Sequence, residues 1–537
     1  MQKMNDEEAR VSIRSGDTVL GIELGSTNIK AVLTDKSAKV LAEGSFGWEN
    51  EFVNGIWTYS LDRVWYGIQT AYKNLSDDVE KNYGEKITTL GALGVSAMMH
   101  GYLVFDKDGR HLAEFRTWRN NITGEAASKL TKLLNFNIPQ RWSIAHLYQA
   151  MLNEESEVPE INFLTTLAGY VHWKLTGEKV LGVGDASGMF PIDPATGSYD
   201  EGMLKKFETL PEAGRYNWKL ADILPKSLKA GENAGKLTDE GAMLLDQSGM
   251  LKAGVPCAPP EGDAGTGMTA TNAVRPGTGN ISLGTSAFSM NVLTGNLKAV
   301  HESIDVVTTP DGAPVAMVHT NNCTSDLNAW AGIFGELLDL AGAAVSGNGL
   351  YSLLLNSTKK ASRDAGGLIN FSCLSGENVT EVEKGRPLFV RGPKAKMHLP
   401  EFMLAQLYGA LAPLAIGMQV LTEDEHIEAD CMVAQGGLLK TEGVAQQVLA
   451  DLIGLPVKVM DTAASGGPWG MAVLALYMIA KNKDEKLPDF LERIVFKDTS
   501  GMVLEPIAEN KAAAKEYLEA YKKALPLEQA AGKYIGE

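Results

Sequence analysis

The stretch VLGIELGSTNIKAVLTD, residues 19–35, decides the expected fold. β-Branched and apolar residues run to Leu24, stop over Gly-Ser-Thr-Asn at residues 25–28, and then resume, which predicts a strand, a tight turn and a second strand. Residues 25–28, the first turn, could be an ordinary hairpin bend, because Gly and Asn tolerate a positive φ. The first turn could also bind an anion such as phosphate through its backbone N–H groups, with Glu23 and Lys30 nearby.

The length and charge of the chain limit the classes of function. With 537 residues, the chain is long enough to require two or more domains. Its 45% hydrophobic content, 21% charged content and 56 glycines are typical of a globular α/β enzyme. The net charge of −17 argues against broad binding to nucleic acid or to anionic membranes. An anionic ligand would therefore need local positive potential from backbone N–H groups, a lysine or a metal ion.

Cysteine usage and hydropathy indicate the compartment. The four scattered cysteines form neither a CxxC pair nor a disulfide framework, which predicts a reducing compartment and argues against a zinc site. The first 18 residues are polar and lack the apolar core of a secretory signal, so we expect a cytoplasmic protein. The longest apolar stretch, residues 407–421, contains Pro413 and predicts a buried, kinked helix rather than a membrane span.

Strand-like and helix-like segments alternate along the chain, which predicts the α/β class. Three strands come first, a helix follows over residues 61–83, then a strand over 90–97, and residues 125–177 are mainly helical. TGNISLGTSAFSMNVLT, residues 278–294, repeats the strand–turn–strand pattern about 260 residues after its first occurrence. The repeat predicts two domains of similar plan with a boundary near residue 270, although so short a match could also be chance.

The segment PPEGDAGTGMTATNA, residues 259–273, places Asp263 in a glycine-rich bend before a helix. Asp263 could cap that helix, because Asp is a favoured N-cap residue. It could also act as a general base, and the two roles are compatible because a helix N-terminus keeps a carboxylate ionised.

Two further segments carry candidate binding residues. VSAMMHGYLVFDKDG, residues 95–109, places Met99 and His100 at a strand end, where a histidine either binds a ligand or is hydrogen-bonded within the structure. FRTWRNNITG, residues 115–124, combines an aromatic, a guanidinium and two amides, which suits a polyol or a capped helix start. The candidate residues in this segment are Trp118, Arg119 and Asn120.

Two Gly-Gly turns precede helices in the second half of the chain. One lies in AQGGLLKTEGV from residue 434, and the other in SGGPWGMAVLA from residue 465. Such a turn allows a flat ligand or a phosphate to lie against the backbone. Each signal is weak by itself.

In this order, the segments resemble the FGGY family of carbohydrate kinases, and its xylulose kinase-like members in particular. The resemblance extends from about Thr18 to about Ala480 and rests on the ordered motifs GIELGSTNIKAV, SAMMHG, TWRNN, DASGMFPID, EGDAG, SLGTSA, FSCLSGEN, QGGLLKTEGVAQQVLADL and GGPWGMAVLA. It implies two ribonuclease H-like α/β domains of the actin-type ATPase fold around a central cleft. The domains implied are residues 17–270 and 271–537.

The resemblance also implies an activity and a set of site residues. The activity is ATP-dependent phosphorylation of a ketose, such as the pentulose xylulose, with ATP and Mg²⁺ as cofactors. Asp263 corresponds to the catalytic base, and Met99 and His100 correspond to a dipeptide that contacts the ketose. The residues implied to bind the nucleotide are Gly25, Ser26, Thr27, Asn28 and Lys30 at the first turn, Gly284, Thr285 and Ser286 at the second turn, and Gly436 and Gly437 at the adenosine end.

Two departures from the family pattern leave alternatives open. Glu23 replaces the usual Asp that helps to hold Mg²⁺; the longer Glu could still reach a water-held metal, or it could be only a strand residue. TWRNN replaces the W-N-D of many xylulose kinases, so the sugar is not fixed. An actin-like ATPase acting on a protein partner and a catalytically silent sugar sensor are the alternatives. The C-terminal helical run, residues 511–529, could dock on its own domain or support a homodimer.

Overall fold

The computed structural model describes residues 6–345, 347–460 and 466–536. The chain divides into two compact units, each built around its own sheet. The first unit comprises Met1–Val274, Val306–Val315 and Ala464–Asp498. The second comprises Arg275–Asp305, Ala316–Ala463 and Thr499–Glu537.

The sheet of the first unit has five strands, and the predicted hairpin forms its centre. The strand Thr18–Leu24 pairs antiparallel with Asn28–Asp35 and parallel with Ala92–Ala97. In sheet order the strands are Glu261–Gly262, Ala92–Ala97, Thr18–Leu24, Asn28–Asp35 and Val40–Gly47. The run of apolar residues at the start of the hairpin is buried, as expected for a central strand covered on both faces.

One face of this sheet is covered by the helix Gly467–Ala480. Gly21 and Gly94 lie opposite each other on neighbouring strands. A Cβ on Gly21 would collide with the backbone of Pro468 and Ala472, and a Cβ on Gly94 would collide with Met471. The two glycines therefore allow the helix to pack directly on the strand backbones.

The helix Leu61–Tyr83 covers the opposite face. Gly44 is in register with Ala31, which pairs with Ile22, so Gly44 and Gly21 are on opposite faces of the pleated sheet. A Cβ on Gly44 would collide with this second helix. Ser60 caps the helix by accepting the N–H of Arg63.

The remaining elements of the first unit are short. Its other helices are Asp6–Ser15, Gly124–Leu134, Ser143–Leu152, Leu167–Thr176, Val183–Ala186, Glu201–Phe207, Leu220–Ile223, Asp239–Leu245, Asp263–Ala270 and Leu487–Phe490. Its other strands are Glu51–Val53, Ile56–Thr58, Leu103–Phe105, Phe163–Thr165, Val180–Gly182, Ile192–Asp193, Ser198–Tyr199 and Lys226–Leu228. The helices confirm the prediction that residues 125–177 are mainly helical.

The second unit repeats the hairpin. Thr278–Leu283 pairs antiparallel with Ala287–Val292 and parallel with Cys431–Gly436, as the first strand of the chain does with its neighbours. The sheet that contains this hairpin has seven strands in the order Ile304–Thr308, Pro314–Thr320, Ala287–Val292, Thr278–Leu283, Cys431–Gly436, Val457–Met460 and Gly501–Leu504, of which the first two are only partly within the residues of the second unit. The predicted second hairpin is confirmed.

The helices of the second unit pack around one apolar core. They are Ser325–Leu340, Asn348–Ser357, Leu399–Gln419, Val444–Ile453 and Ala508–Tyr534, and a two-stranded sheet is formed by Leu368–Phe371 and Leu388–Arg391. Leu518 and Tyr521 of the last helix are fully buried in this core, and Leu525 packs against it. The C-terminal helix therefore docks on its own unit.

The predicted buried helix over residues 407–421 is confirmed within a longer helix. In the part of the chain that the structure describes, Leu399–Asp424 is long and apolar enough to cross a membrane by length and composition. Its most apolar window is 83% buried inside the protein, and Pro413 lies within the helix. A buried core helix accounts for this composition.

Candidate functional site

Asp263 is the first residue of a helix that follows the short strand Glu261–Gly262. Gly262, not Asp263, is the N-cap residue, so the capping role considered from the sequence is wrong. The Asp263 carboxylate instead accepts a hydrogen bond from the backbone N–H of Met99, with 3.2 Å between N and Oδ1. This bond joins the ends of two neighbouring parallel strands.

The surroundings of Asp263 suit a general base. Its side chain is accessible to solvent, yet the protein around it is dense enough for desolvation to raise its pKa to about 6. The backbone N–H groups of Met99 and Ala264 oppose this shift by stabilising the charged form. The carboxylate is therefore mostly ionised at neutral pH and more basic than an ordinary aspartate.

Glu23 lies at the end of the first strand, on the face covered by the helix Gly467–Ala480. It is in register with Lys30, and it shares its face with Gly21 two residues earlier. A Cβ on Gly467 would collide with the Glu23 carboxylate, so this glycine makes room for the longer acid. Burial, and then the negative charge of Asp263, raises the pKa of Glu23 to about 7, and Lys30 lowers it.

Glu23 and Asp263 are close enough to repel each other, and a divalent cation would relieve that repulsion. Among the described residues, no group of three or more His, Cys, Asp or Glu side chains could hold a metal ion. Mg²⁺ in phosphate-transferring sites is usually held by one or two carboxylates together with phosphate oxygens and waters. The pair of carboxylates therefore fits Mg²⁺ with a bound phosphate.

The first turn is held by two aromatic side chains. Trp48 Nε1 donates to the Gly25 carbonyl at 2.7 Å, and the Tyr59 hydroxyl donates to the Ser26 carbonyl at 2.6 Å. The backbone N–H of Trp48 donates to the Thr27 carbonyl at 3.1 Å. The side chains of residues 26–28 are exposed. Three consecutive carbonyl oxygens of the first turn are thus already bonded to the protein.

His100 is buried and its two ring nitrogens are both engaged. Arg141 Nε donates to His100 Nε2 at 3.2 Å, so Nδ1 carries the proton and donates to the Gly188 carbonyl at 3.0 Å. Its φ of 68° lies in the left-handed region. These bonds correspond to the structural alternative for His100, and its contact with a ketose stays a prediction.

The acidic residues of two motifs were not singled out from the sequence. The Glu261 carboxylate accepts the N–H groups of Gly184, Asp185 and Gly262 at 3.0–3.2 Å. Asp185 accepts the Thr166 hydroxyl at 2.7 Å, and burial raises its pKa well above the usual range. The bonds of Glu261 fix the DASGMFPID segment to the strand that precedes Asp263. The signal that could have pointed to Glu261 is its place in the EGDAG motif, two residues before the candidate base Asp263.

The TWRNN segment divides into a buried and an exposed part. Asn120 is only 2% exposed; its Oδ1 accepts the backbone N–H of Trp57, and its Nδ2 donates to the Trp57 carbonyl, both at 2.8 Å. The amide of Asn120 is therefore used within the structure. Arg119 is exposed and lies over the Trp57 ring, 3.8 Å from its centroid, and Trp118 is 37% exposed. Of the three candidate residues in this segment, Trp118 and Arg119 are therefore the two whose side chains are accessible to a ligand.

The second unit contains a cavity of about 510 Å³, within the usual range for a small-molecule site. Its lining combines the second turn with the first Gly-Gly turn, and the residues are Leu283, Gly284, Thr285, Thr324, Leu327, Asn328, Asn348, Gly349, Tyr351, Ser352, Leu355, Gly437, Leu438, Lys440 and Thr441. Residues 284–286 and 436–437 were predicted to bind the nucleotide, and Ser286 and Gly436 adjoin the lining. Gly436 has a φ of 132°, and a Cβ there would collide with the Leu283 carbonyl.

Sequence reasoning missed the far wall of this cavity. The Tyr351 hydroxyl donates to Asn328 Oδ1 at 2.9 Å, and Thr324 Oγ1 donates to the Gly284 carbonyl at 2.8 Å. These residues come from two helices that carry no family motif quoted above. A long-range packing arrangement, not a local pattern, brings them to the second turn.

The second Gly-Gly turn has a packing role that its sequence does not suggest. Ser465 lies outside the described residues, but Gly467 adjoins Glu23, and a Cβ on Gly470 would collide with the backbone of Thr266. These glycines allow the helix Gly467–Ala480 to pack against the first strand and the Asp263 helix. In the structure Gly467 and Gly470 serve packing within the first unit, and the reading that a flat ligand lies on this turn stays a prediction.

Two family models match the chain. The model described as the FGGY family of carbohydrate kinases, N-terminal domain, matches residues 18–268. The model for the C-terminal domain of the same family matches residues 279–479. Together they cover well over half of the 537 residues.

Individual relatives are distant, and they differ in how much of the chain they match. A xylulose kinase of Klebsiella pneumoniae is 23% identical over 477 residues, which cover 85% of this chain and 89% of the relative. A glycerol kinase of Thermococcus kodakarensis is 23% identical over 263 residues, which cover 44% of this chain and 51% of the relative.

Solved structures share the fold. A gluconate kinase from Lactobacillus acidophilus has a TM-score of 0.77 at 17% identity, covering 97% of this chain and 99% of its own. A ligand-bound xylulose kinase from the same organism has a TM-score of 0.76 at 17% identity, covering 97% of this chain and all of its own. The predicted α/β fold of the actin-like ATPase type is confirmed.

Proposed function

Since the chain belongs to the FGGY family of carbohydrate kinases, and is a carbohydrate kinase that uses ATP, we propose that its acceptor is a ketose. A pentulose such as xylulose is the first candidate, because xylulose kinases occur among both the sequence relatives and the structural neighbours. The proposal gives Asp263 the role of general base. The observation that carries the proposal is the solvent-accessible carboxylate of Asp263 at the N-terminus of a helix, with a pKa raised to about 6.

Asp263 would accept the proton of the attacking sugar hydroxyl as the bond to phosphorus forms. Phosphoryl transfer depends mainly on positioning and charge stabilisation, and a positioned base adds about 10²–10⁴-fold. The hydrogen bond from Met99 fixes the position of the carboxylate. Trp118 and Arg119 are the exposed residues that would contact the sugar, through an aromatic face and a guanidinium.

The nucleotide would occupy the cavity of the second unit. Its volume and its mixed apolar and polar lining suit an adenosine. Exposed backbone at the second turn and at Gly437 could approach phosphate and base closely. At the first turn, exposed N–H groups next to Lys30 suit phosphate oxygens.

We also propose that Glu23 and Asp263 lie beside bound Mg²⁺. When bound, Mg²⁺ would neutralise phosphate charge during transfer. Glu23 is half-buried and has Lys30 as the nearby positive group, so its charge would favour a cation. The cytoplasm is the proposed compartment, in keeping with four free cysteines.

The experiment is a coupled ADP-release screen of the purified chain across pentuloses, hexuloses and polyols, with Asp263→Ala as the blank. We expect sugar-dependent ADP release with a ketose and none above background in the blank. Release with a polyol or an aldonate only would exclude the ketose while leaving the kinase activity in place. Equal release with and without every sugar would favour the ATPase alternative, and sugar binding without phosphorylation would favour the sensor.

A further inference from the structure

The segment of residues 48–59, here named the strap, contacts the first turn through both of its ends. Trp48 and Tyr59 are 3% and 1% exposed, and their rings stack with centroids 4.1 Å apart at 25°. Between them the strap forms the small hairpin of Glu51–Val53 and Ile56–Thr58. Two stacked, buried rings therefore form a rigid support beneath an exposed turn.

The three bonds from the strap fix the direction of the peptide groups in the first turn. They go to the carbonyl oxygens of Gly25, Ser26 and Thr27. In a trans peptide the C=O and the following N–H point in opposite directions, and the described residues contain no cis peptide bond. The N–H groups of residues 26–28 therefore point away from the strap.

This direction matters for an anionic ligand. A free carbonyl oxygen at the turn would repel a phosphate oxygen, whereas an N–H would donate to it. Within the described part of the chain, the N–H groups of Ser26 and Thr27 have no hydrogen-bond acceptor. The strap thus leaves donors, and not acceptors, on the exposed side of the turn.

The strap is itself fastened by the TWRNN segment. Thr117 Oγ1 and Asn120 Nδ2 donate to the Trp57 carbonyl at 3.0 and 2.8 Å, and Asn120 Oδ1 accepts the Trp57 N–H at 2.8 Å. Arg119 covers the Trp57 ring. The N–H and the C=O of Trp57, which lies two residues before Tyr59, are therefore both hydrogen-bonded.

We propose that the strap is a positioning device for phosphate binding, in which Trp48 and Tyr59 hold the N–H groups of the first turn outward and Thr117 and Asn120 hold the strap. None of these four residues contacts the phosphate through its side chain in this account. The inference rests on the proposed function for its ligand, ATP. It adds Trp48 and Tyr59, which no motif of the sequence pointed to, and gives Thr117 and Asn120 of the TWRNN segment a positioning role.

The test compares the binding of ATP and of AMP, each with excess Mg²⁺, by calorimetry on the full chain. Tyr59→Phe removes one hydroxyl and keeps the ring, and the loss of one hydrogen bond is worth about two- to tenfold in affinity. We expect the dissociation constant of ATP to rise by about that factor. The dissociation constant of AMP, which lacks the terminal phosphates, should stay unchanged.

Tyr72→Phe is the matched control. Tyr72 is a buried tyrosine of the helix Leu61–Tyr83 in the same unit, and its hydroxyl has no hydrogen-bond partner in the described structure. Trp48→Phe, which removes the indole donor, and Thr117→Val, which removes one side-chain hydrogen bond to the Trp57 carbonyl, should both weaken ATP binding selectively. The ATP-to-AMP ratio separates a turn effect from general unfolding, because unfolding would weaken both ligands.

The outcomes distinguish this inference from the proposed function. If the unmodified chain binds ATP but Tyr59→Phe and Trp48→Phe match Tyr72→Phe, the strap inference is overturned and the kinase proposal stands. If Thr117→Val alone has no effect, the fastening role of the Thr117 hydroxyl is overturned. If the unmodified chain binds no ATP, the proposed function fails first.

Discussion

Asp263 and Glu23 place two acids with raised pKa values at strand ends of the same sheet in the first unit, with the strand Ala92–Ala97 between their strands. Burial is the main cause for both, and their mutual repulsion adds to it for Glu23. The consequence for Asp263 is a base that becomes protonated at a pH where ordinary aspartates are still charged. This can be measured in the pH dependence of turnover.

We predict that kcat/KM falls on the acid side with a midpoint near pH 6, because only the ionised Asp263 can accept a proton. An ordinary aspartate would place this midpoint near pH 4. The measurement is the initial rate from pH 5 to 8 with saturating Mg²⁺.

Loss of fold is a separate cause of inactivity that the pH series must exclude. A carboxyl whose folded pKa is raised favours the folded state at low pH and loses that contribution as the pH rises through about 4 to 6. Titration of Asp263 therefore makes the fold more stable at pH 5 than at pH 7, and a melting curve at each pH provides the control. A rate unchanged from pH 7 down to pH 5 would contradict the predicted pKa.

At the scale of elements, the helix Gly467–Ala480 is the part of the fold that positions Glu23. Its first turn has no side chain at Gly467, where Glu23 is seated. The pairing joins residues more than 440 positions apart in the sequence. The long side chain of Glu23 thus fits because residue 467 has no side chain.

We predict that Gly467→Ala lowers the free energy of unfolding by about 1–3 kcal/mol, because the new methyl group collides with the Glu23 carboxylate. Adding Glu23→Asp, which shortens that acid, should recover most of the loss. Chemical denaturation of the single and double variants measures both effects.

Gly332→Ala is the matched control for this pair. Gly332 lies inside the helix Ser325–Leu340, and a Cβ there would meet no atom within 4 Å. This substitution should raise stability by about 0.5–1 kcal/mol through helix propensity. A destabilisation of Gly467→Ala that is the same with Glu23 and with Asp at position 23 would contradict the steric account.

The two hairpins could be predicted from the sequence because each is a local pattern of apolar residues around a glycine turn. The candidate base could be found because the EGDAG motif is also local. The packing of the helix Gly467–Ala480 on Gly21 could not be predicted from the sequence, since it depends on residues that are far apart along the chain. For the same reason the wall of the cavity containing Tyr351, the bonds that engage His100 and the strap at the first turn were found only in the structure.

At the scale of the whole molecule, the two units carry different parts of the candidate machinery. The first contains Asp263, Glu23 and the first turn, and the second contains the cavity with the second turn. Each unit has its own apolar core and its own sheet with a hairpin at its centre. Substitutions in the first unit and in the second unit should therefore change the affinities for ATP and AMP in different ways.

We predict that Tyr351→Ala weakens ATP and AMP alike, by about tenfold, because an aromatic wall of the cavity is worth about 1.4 kcal/mol to an adenosine. Strap variants, in contrast, should spare AMP. Tyr534→Ala, at an exposed position of the C-terminal helix of the same unit, is the control. Loss of ATP binding with AMP binding intact in Tyr351→Ala would mean that the cavity does not hold the adenosine.

The most direct test of the central claim is the turnover number of Asp263→Asn at saturating ATP, Mg²⁺ and ketose. Asn has nearly the same shape but cannot accept the proton, so kcat should fall by about 10²–10⁴-fold while the dissociation constant of ATP stays within about twofold of its original value. Near-full turnover in this variant would contradict the role of Asp263 as the base.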